Sequence, residues 1–164
     1  MKQLYLLNTV YKKYSSACTY FAYWPDPLRL PPMSLQLLLH EPHIAISYDH
    51  LNEWLYADWQ GDQNLNSVQQ GSHGMLRLLA QQRCHKVLND NRGVTSMWSE
   101  AAEWGGREWF PAMMEAGLQY FAWVYSPNVY SRLSTDLTLQ FTQGNAVIAT
   151  FDDMETARAW LAQV

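Results

Sequence analysis

The run Asn89-Asp90-Asn91-Arg92-Gly93 puts one acid, two amides and one guanidinium within five residues, and Trp98-Ser99-Glu100-Ala101 follows closely. A third polar group, Tyr125, Ser126, Asn128, Arg132, Ser134 and Asp136, follows the apolar stretch 118–125. In an open α/β sheet, ligands meet the carboxyl ends of the strands, where helix N-termini converge. Read together, Asn89, Asp90, Arg92, Trp98, Ser99, Glu100, Trp104, Tyr125 and Arg132 predict a shallow polar ligand or partner site. Its aromatic walls would be Trp98, Trp104 and Tyr125. Each group also has a plainer role. The Asn/Asp/Gly run suits a tight loop, because Asn and Asp bond their own backbone and Gly supplies positive φ. Arg132 and Asp136 have the spacing of an i,i+4 helix pair, worth ~0.3–0.5 kcal/mol when exposed. Ser99 is a good helix N-cap, and Glu100 suits the positive end of the helix dipole.

Other constellations carry less. His40-Glu41-Pro42-His43 offers two imidazoles and a carboxylate, but Pro42 breaks any helix, so no metal site is expected there. His50, His73 and His85 have no acid predictably beside them. Cys84-His85 has the residue types of a thiol-imidazole pair, yet neighbours on an extended chain point to opposite faces, so a buried structural Cys84 is expected. Asp152-Asp153 reads as a cap for the last helix. No GxSxG, GxGxxG or phosphate-cradling glycine loop is present, and no cofactor is expected.

The elements that must position these groups follow from periodicity. Residues 35–39, 44–48 and 53–59 read as three strands in a meander, with a turn at Asp49-His50-Leu51-Asn52 and an end at Gly61. Residues 64–84 form an amphipathic helix capped by Asp62 or Asn64, with Leu65, Val68, Ser72, Met75, Leu76 and Leu79 on one face. Gly71 and Gly74 weaken its middle. Residues 86–89 read as a short buried strand and 99–109 as a helix, with a continuation over 111–116 that Pro111 must kink or restart and that Gly117 stops. A strand at 118–125, a helix at 128–140, a strand at 145–151 and a terminal helix at 152–163 complete the pattern. The last helix turns Ala157, Trp160 and Leu161 inward. The fold class is therefore α/β, a central mixed sheet of about five to six strands flanked by about four helices.

Composition sets the outer bounds. The chain has 164 residues, 48% hydrophobic and 16% charged, which describes one globular domain of ordinary size. Eight Trp, ten Tyr and five Phe either fill a large core or line a concave apolar site. Cys18 and Cys84 lie outside any CxxC or Cys-His spacing, so neither a disulfide framework nor zinc is supported, and a reduced cytoplasmic setting fits. The net charge is −4, with +3 in residues 1–32, so the domain itself is acidic. Its basic residues form no stripe, which argues against nucleic acid as a partner. No stretch approaches the ~20 apolar residues of a membrane span. Residues 1–32, with Trp24-Pro25-Asp26-Pro27 and Pro31-Pro32, have no clear period and read as a poorly ordered extension or a start assigned too early, with Met33 the natural start of a domain over 33–164.

Lys86-Val87-Leu88-Asn89-Asp90, a loop, Val94-Thr95-Ser96-Met97 and the helix start Trp98-Ser99-Glu100-Ala101 resemble the STAS domain pattern. Phe151-Asp152-Asp153 with Ala157 and Trp160-Leu161 is similar to the terminal strand and helix of a bacterial branch of SpoIIAA-like, or STAS/SEC14, proteins. With Asp58-Trp59-Gln60-Gly61 and Ala122-Trp123-Val124-Tyr125, the resemblance spans about 35–164. It implies a single SpoIIAA-like domain. In the anti-sigma-antagonist members a helix-start serine is phosphorylated; here the matching position reads Glu100, preceded by Ser99 and followed by Ala101 in place of Gly. Ser99 is the only residue the resemblance offers as a phosphoacceptor, and Glu100 argues against that use.

Two functional classes fit. The favoured one is a non-catalytic regulatory or binding module that presents its helix-start face to a protein partner or small ligand, without the phosphoswitch. The other is a small enzyme or lipid-type carrier using an aromatic-lined pocket, with Asp90, Glu100 and Arg132 as polar actors. The aromatic strand 120–125 and the pair Trp104 and Trp109 could also support a homodimer.

Overall fold

The structure, a computed structural model, describes residues 34–164; the expectations for residues 1–32 lie outside them. Six strands form one sheet in chain order: β1 (Leu35–Glu41), β2 (Ile44–Asp49), β3 (Trp54–Gly61), β4 (Lys86–Val94), β5 (Tyr120–Val124) and β6 (Val147–Phe151). The first three pair antiparallel, as tight hairpins permit, and β3 to β6 pair parallel, each step crossed by a helical segment. The chain is thus α/β with a mixed sheet, as composition and periodicity predict. No helix among the described residues is long and apolar enough to cross a membrane.

Helix α1 (Leu65–Gln82) is capped by Asn64, whose side chain accepts from Ser67 N–H at 3.0 Å while the Ser67 hydroxyl accepts from Asn64 N–H at 2.9 Å. Asp62, the other candidate cap, instead accepts from the Thr95 hydroxyl. Leu65, expected inside, is 38% exposed at the first turn. Gly71 and Gly74 are not weak points. A Cβ at Gly71 would overlap the Trp59 ring, and one at Gly74 would press on Leu39, so the glycines set how closely α1 approaches the sheet.

Helix α2 is one helical run over residues 99–115. It opens as a 3₁₀ turn (Ser99–Ala101), passes through Ala102–Trp104 and a π turn (Gly105–Trp109), and ends as an α segment (Phe110–Glu115). Pro111 does not end the run; it stands one residue into that last segment, directly after the π turn. Gly117, at φ 113°, lets the chain leave in a conformation that other residues resist. Helix α3 (Val129–Phe141) is capped by Asn128 and α4 (Met154–Leu161) by Asp153. Asp152 takes no part in that cap; it pairs with Arg132.

The sheet alternation divides the core in two. Ile44, Ile46, Leu55, Ala57, Val87 and Phe121 face α1 and α2, whereas Trp54, Leu88, Ala122 and Val124 face Ala157 and Leu161 of α4. Trp109 is 6% exposed, and Phe121 to Val124 are buried under helices on both faces. Of the aromatic groups expected to support self-association, Trp109, Phe121 and Trp123 are buried within the domain, whereas Trp104, Tyr120 and Tyr125 are half-buried.

The largest departure from sequence expectation is β4. It does not end at Asn89 but runs nine residues to Val94, so Asn89-Asp90-Asn91-Arg92-Gly93 is strand, not loop. Pairing with β3 holds it extended: Asp58 faces Asp90, and after a bulge that gives β4 one extra residue, Gln60 faces Gly93.

Candidate functional site

Extending β4 sends its polar residues to opposite faces of the sheet. Asn89 and Asn91 point toward α1 and α2, and Asp90 and Arg92 toward the side of Tyr56. The single polar site expected from the sequence is therefore two separate clusters and an exposed rim.

On the α1/α2 face lies a cavity of ≈ 40 Å³ at the carboxyl ends of β3, β4 and β5, beneath the starts of α1 and α2. Its aromatic walls are Trp59, Trp98, Trp104, Trp109, Trp123 and Phe121; its polar lining is Gln63, Ser72, Asn89, Asn91 and Thr138. Of the site residues expected from sequence, Asn89, Trp98 and Trp104 meet here. Val68 and Trp104 are the only lining residues that are not fully buried, so the cavity reaches solvent between α1 and α2. The exposed His73 packs edge-on against Trp104, ring centroids 5.4 Å apart.

Hydrogen bonds fix almost every wall. Trp59 Nε1 donates to Asn89 Oδ1 at 2.9 Å, and Asn89 Nδ2 donates to Asn91 Oδ1 at 3.0 Å. Trp98 Nε1 donates to Ser131 Oγ at 3.2 Å and its backbone N–H to Ser134 Oγ at 3.0 Å. Trp109 Nε1 donates to the Ser72 carbonyl at 2.8 Å. Gln63 Nε2 donates to the Gln60 carbonyl at 2.8 Å, and its Oε1 accepts from Ser67. Among the fully buried tryptophans of the wall, Trp123 is the exception: it is 5% exposed, and its Nε1–H has no partner among the described residues. A buried donor left unpaired costs about 1–3 kcal/mol; among the described residues the other buried side-chain atom without a partner is His43 Nε2, outside this cavity. The neighbouring Trp98 ring is stacked on Trp123 at 6.1 Å and 18°. A π turn bordering the cavity at Gly105 is a mark of function, since such insertions weaken a helix and persist mostly at functional sites.

No lining residue carries a formal charge or a titratable group. The cavity therefore offers shape, π faces and donors, but no general acid, general base or activated nucleophile.

On the opposite face, Asp90 is fully engaged. It accepts from Tyr56 Oη at 2.9 Å, from Arg92 Nε at 3.0 Å and Nη2 at 2.9 Å, and from the Arg92 backbone N–H at 3.0 Å. Burial alone would raise its carboxyl, but the Arg92 and Tyr56 bonds outweigh burial and hold it below the usual carboxylate range. Tyr56 is raised, first by burial and then by the adjacent Asp90 charge. Burial also raises Asp58, against the hydrogen bond from Gln60. Every group here has a partner inside the fold, so the cluster reads as a structural tie between β3 and β4.

The remaining expected residues sit at the rim. Arg132 does not pair with Asp136: its Nη1 donates to Asp152 Oδ1 at 2.7 Å, and its guanidinium lies 4.1 Å from the Tyr125 ring centroid. Asp136 instead accepts from Tyr125 Oη at 2.5 Å, and burial, reinforced by Asp136, raises the Tyr125 hydroxyl. Ser99 is not a cap; Trp98 holds that position and no side chain bonds the first turn. Ser99 is the first residue inside the helix, one position past the capping site. Glu100 is exposed in the same turn. Cys84 is buried and its Sγ–H donates to the Lys86 carbonyl at 3.1 Å; burial raises the thiol, as suits a structural cysteine. No group of three or more His, Cys, Asp or Glu among the described residues is placed to hold a metal ion.

Sequence reasoning missed Trp59, Gln63, Trp109 and Trp123. A signal for two of them exists: Trp59 and Trp123 share strand parity with Ala57 and Phe121, the inner face. The α3 stripe Ser131, Ser134, Thr135, Thr138 is a third, a helical-period row of hydroxyls that is buried here. Thr138 and Ser134 donate to the carbonyls four residues back, which lets a polar face pack inside and leaves Ser131 Oγ to Trp98.

Comparison of the chain with protein-family models, with curated proteins and with solved structures finds no match. The STAS resemblance rests on the residues quoted for it alone.

Proposed function

We propose that this chain is a non-catalytic binding module of STAS-like type whose site is the tryptophan-lined cavity beneath the α2 start. The observation that carries the reading is five tryptophans converging on an uncharged cavity at the carboxyl ends of the parallel strands. Rings of this size are costly to leave around a void, because unfilled space forfeits dispersion contacts. The reading keeps binding at the helix start, where the resemblance would put it, but moves it from the exposed Ser99-Glu100 rim to the interior behind Trp98. It needs no phosphoswitch. A lipid carrier is disfavoured by size: ≈ 40 Å³ is far below the roughly 300–1,000 Å³ of pockets that enclose whole drug-sized ligands. An enzyme is disfavoured by the lack of any titratable group in the lining.

The test is a screen of small neutral compounds against the ¹⁵N-labelled full chain, read at the indole N–H signals. The expected result is that signals of Trp59, Trp98, Trp104, Trp109 and Trp123 shift together while Trp54 and Trp160, on the α4 face, stay still. Shifts confined to Trp54 and Trp160, or none at all, would overturn the reading.

A further inference from the structure

We infer that the Trp104 side chain is the gate of this cavity, held across its mouth by His73; the inference rests on the binding reading above and concerns how that site is entered. Trp104 differs from the other tryptophans of the wall. The hydrogen bonds that fix indoles there run from Trp59, Trp98 and Trp109, and Trp123 is buried with its ring stacked on Trp98. Trp104 instead lines the cavity while half-buried, so its ring lies between the interior and solvent. Its aromatic contact is with His73 on the opposite side of the mouth, edge-on at 5.4 Å with 73° between the ring planes. His73 belongs to α1 and is exposed, whereas Trp104 belongs to α2, so this one contact spans the entrance.

The helices that frame the mouth are poorly placed to part. On α1, Gly71 lies against the Trp59 ring and Gly74 against Leu39, both too close to admit a Cβ. On α2, a Cβ at Gly106 would stand 2.6 Å from the Thr138 carbonyl oxygen and from the Phe141 Cβ. Backbone packed this closely resists displacement, whereas a side chain at the surface changes rotamer within picoseconds to nanoseconds. Entry is therefore a side-chain event. Of the two half-buried residues at the mouth, Val68 is β-branched, and on a helix such a residue keeps one χ1 rotamer. That leaves the Trp104 ring as the group that turns aside. Turning it breaks the His73 contact, so the strength of that contact sets how often the gate stands open.

The experiment titrates xenon, an uncharged atom that enters apolar cavities without needing a polar partner, into the ¹⁵N-labelled full chain. Shifts of the Trp98, Trp109 and Trp123 indole signals give the Kd, and relaxation dispersion of the same signals gives the exchange rates. His73→Ala, a change at an exposed position, is expected to raise the association and dissociation rates together by about two- to tenfold, the size of one edge-to-face ring contact. Its Kd should stay within about twofold of wild type, because a gate changes the path and not the bound state. Trp104→Ala is expected to raise both rates at least as much. Should that variant not fold, His73→Ala decides alone. Rates that His73→Ala leaves unchanged, or a weaker Kd at an unchanged association rate, overturn the gate and leave the binding reading standing. If xenon shifts no cavity indole in the wild-type chain, the binding reading falls and the gate falls with it.

Discussion

Trp59 and Asn89 are joined across the β3–β4 pair by a buried hydrogen bond of 2.9 Å, indole N–H to side-chain carbonyl. The same Asn89 passes a second bond to Asn91 at 3.0 Å, so three side chains on two parallel strands act as one unit beneath the cavity. Such a unit is either complete or costly, because each member buries a polar group that only the others satisfy.

Asn89→Ala removes both bonds at once and leaves the Trp59 N–H buried and unpaired. The expected loss is about 2–4 kcal/mol of folding stability, read as a lower midpoint in urea or guanidinium denaturation. A loss below about 0.5 kcal/mol, the range of a neutral surface change, would show that the relay contributes nothing.

Gly106→Ala separates packing from helix propensity. Alanine in an exposed helix interior gains up to about 1 kcal/mol over glycine, but a Cβ here would stand 2.6 Å from the Thr138 carbonyl oxygen and the Phe141 Cβ. Backbone cannot move aside cheaply. The variant is expected to lose about 1–3 kcal/mol in thermal or chemical unfolding, and a gain would contradict the close α2–α3 approach.

Helix caps give an internal contrast. Asn128 accepts from Tyr130 and Ser131 N–H groups and donates to the Thr95 carbonyl, so Asn128→Ala is expected to cost about 1 kcal/mol or slightly more. Ser99→Ala, which removes no such bond, is expected to stay within about 0.5 kcal/mol of wild type. Equal losses in the two denaturation experiments would restore Ser99 as a cap.

Asp90 sets a pH dependence of definite sign. Its carboxyl is lowered in the folded chain, so the stability it contributes is complete above the ordinary carboxylate range and is lost as pH falls through the folded value. Asp58, raised by burial, works in the opposite sense: it favours folding most when protonated, and that contribution is lost as pH rises through its folded value. The comparison with Asp90→Asn isolates the first effect. At neutral pH the variant is expected to be less stable by about 1–3 kcal/mol, toward the low end because Arg92 is half exposed and its pairing is screened. The gap should close as pH drops below about 4. A gap that widens on acidification would reverse the assignment.

Much of the architecture was legible because hydrophobic period changes from two to 3.6 and back wherever a strand gives way to a helix. The caps Asn64, Asn128 and Asp153 and the stop at Gly117 followed from local chemistry. The site was only partly legible. Asn89-Asp90-Asn91-Arg92-Gly93 has the composition of a loop, and local preference loses here to pairing with β3 on one side and β5 on the other. Reading it as loop merged residues that the strand sends to opposite faces. Arg132 went astray for a similar reason: helix spacing offered Asp136, but the Tyr125 ring and Asp152 lie nearer in the folded chain. Trp104 and Trp109 look like surface-ready rings in sequence, yet they line a cavity that only tertiary packing creates.

The binding reading is settled most directly by titrating the ¹⁵N-labelled full chain with small neutral compounds and following the indole N–H signals. The account predicts that the signals of Trp59, Trp98, Trp104, Trp109 and Trp123 shift together and saturably while those of Trp54 and Trp160 stay still. Shifts confined to Trp54 and Trp160, or no saturable shift of any cavity indole, would contradict it.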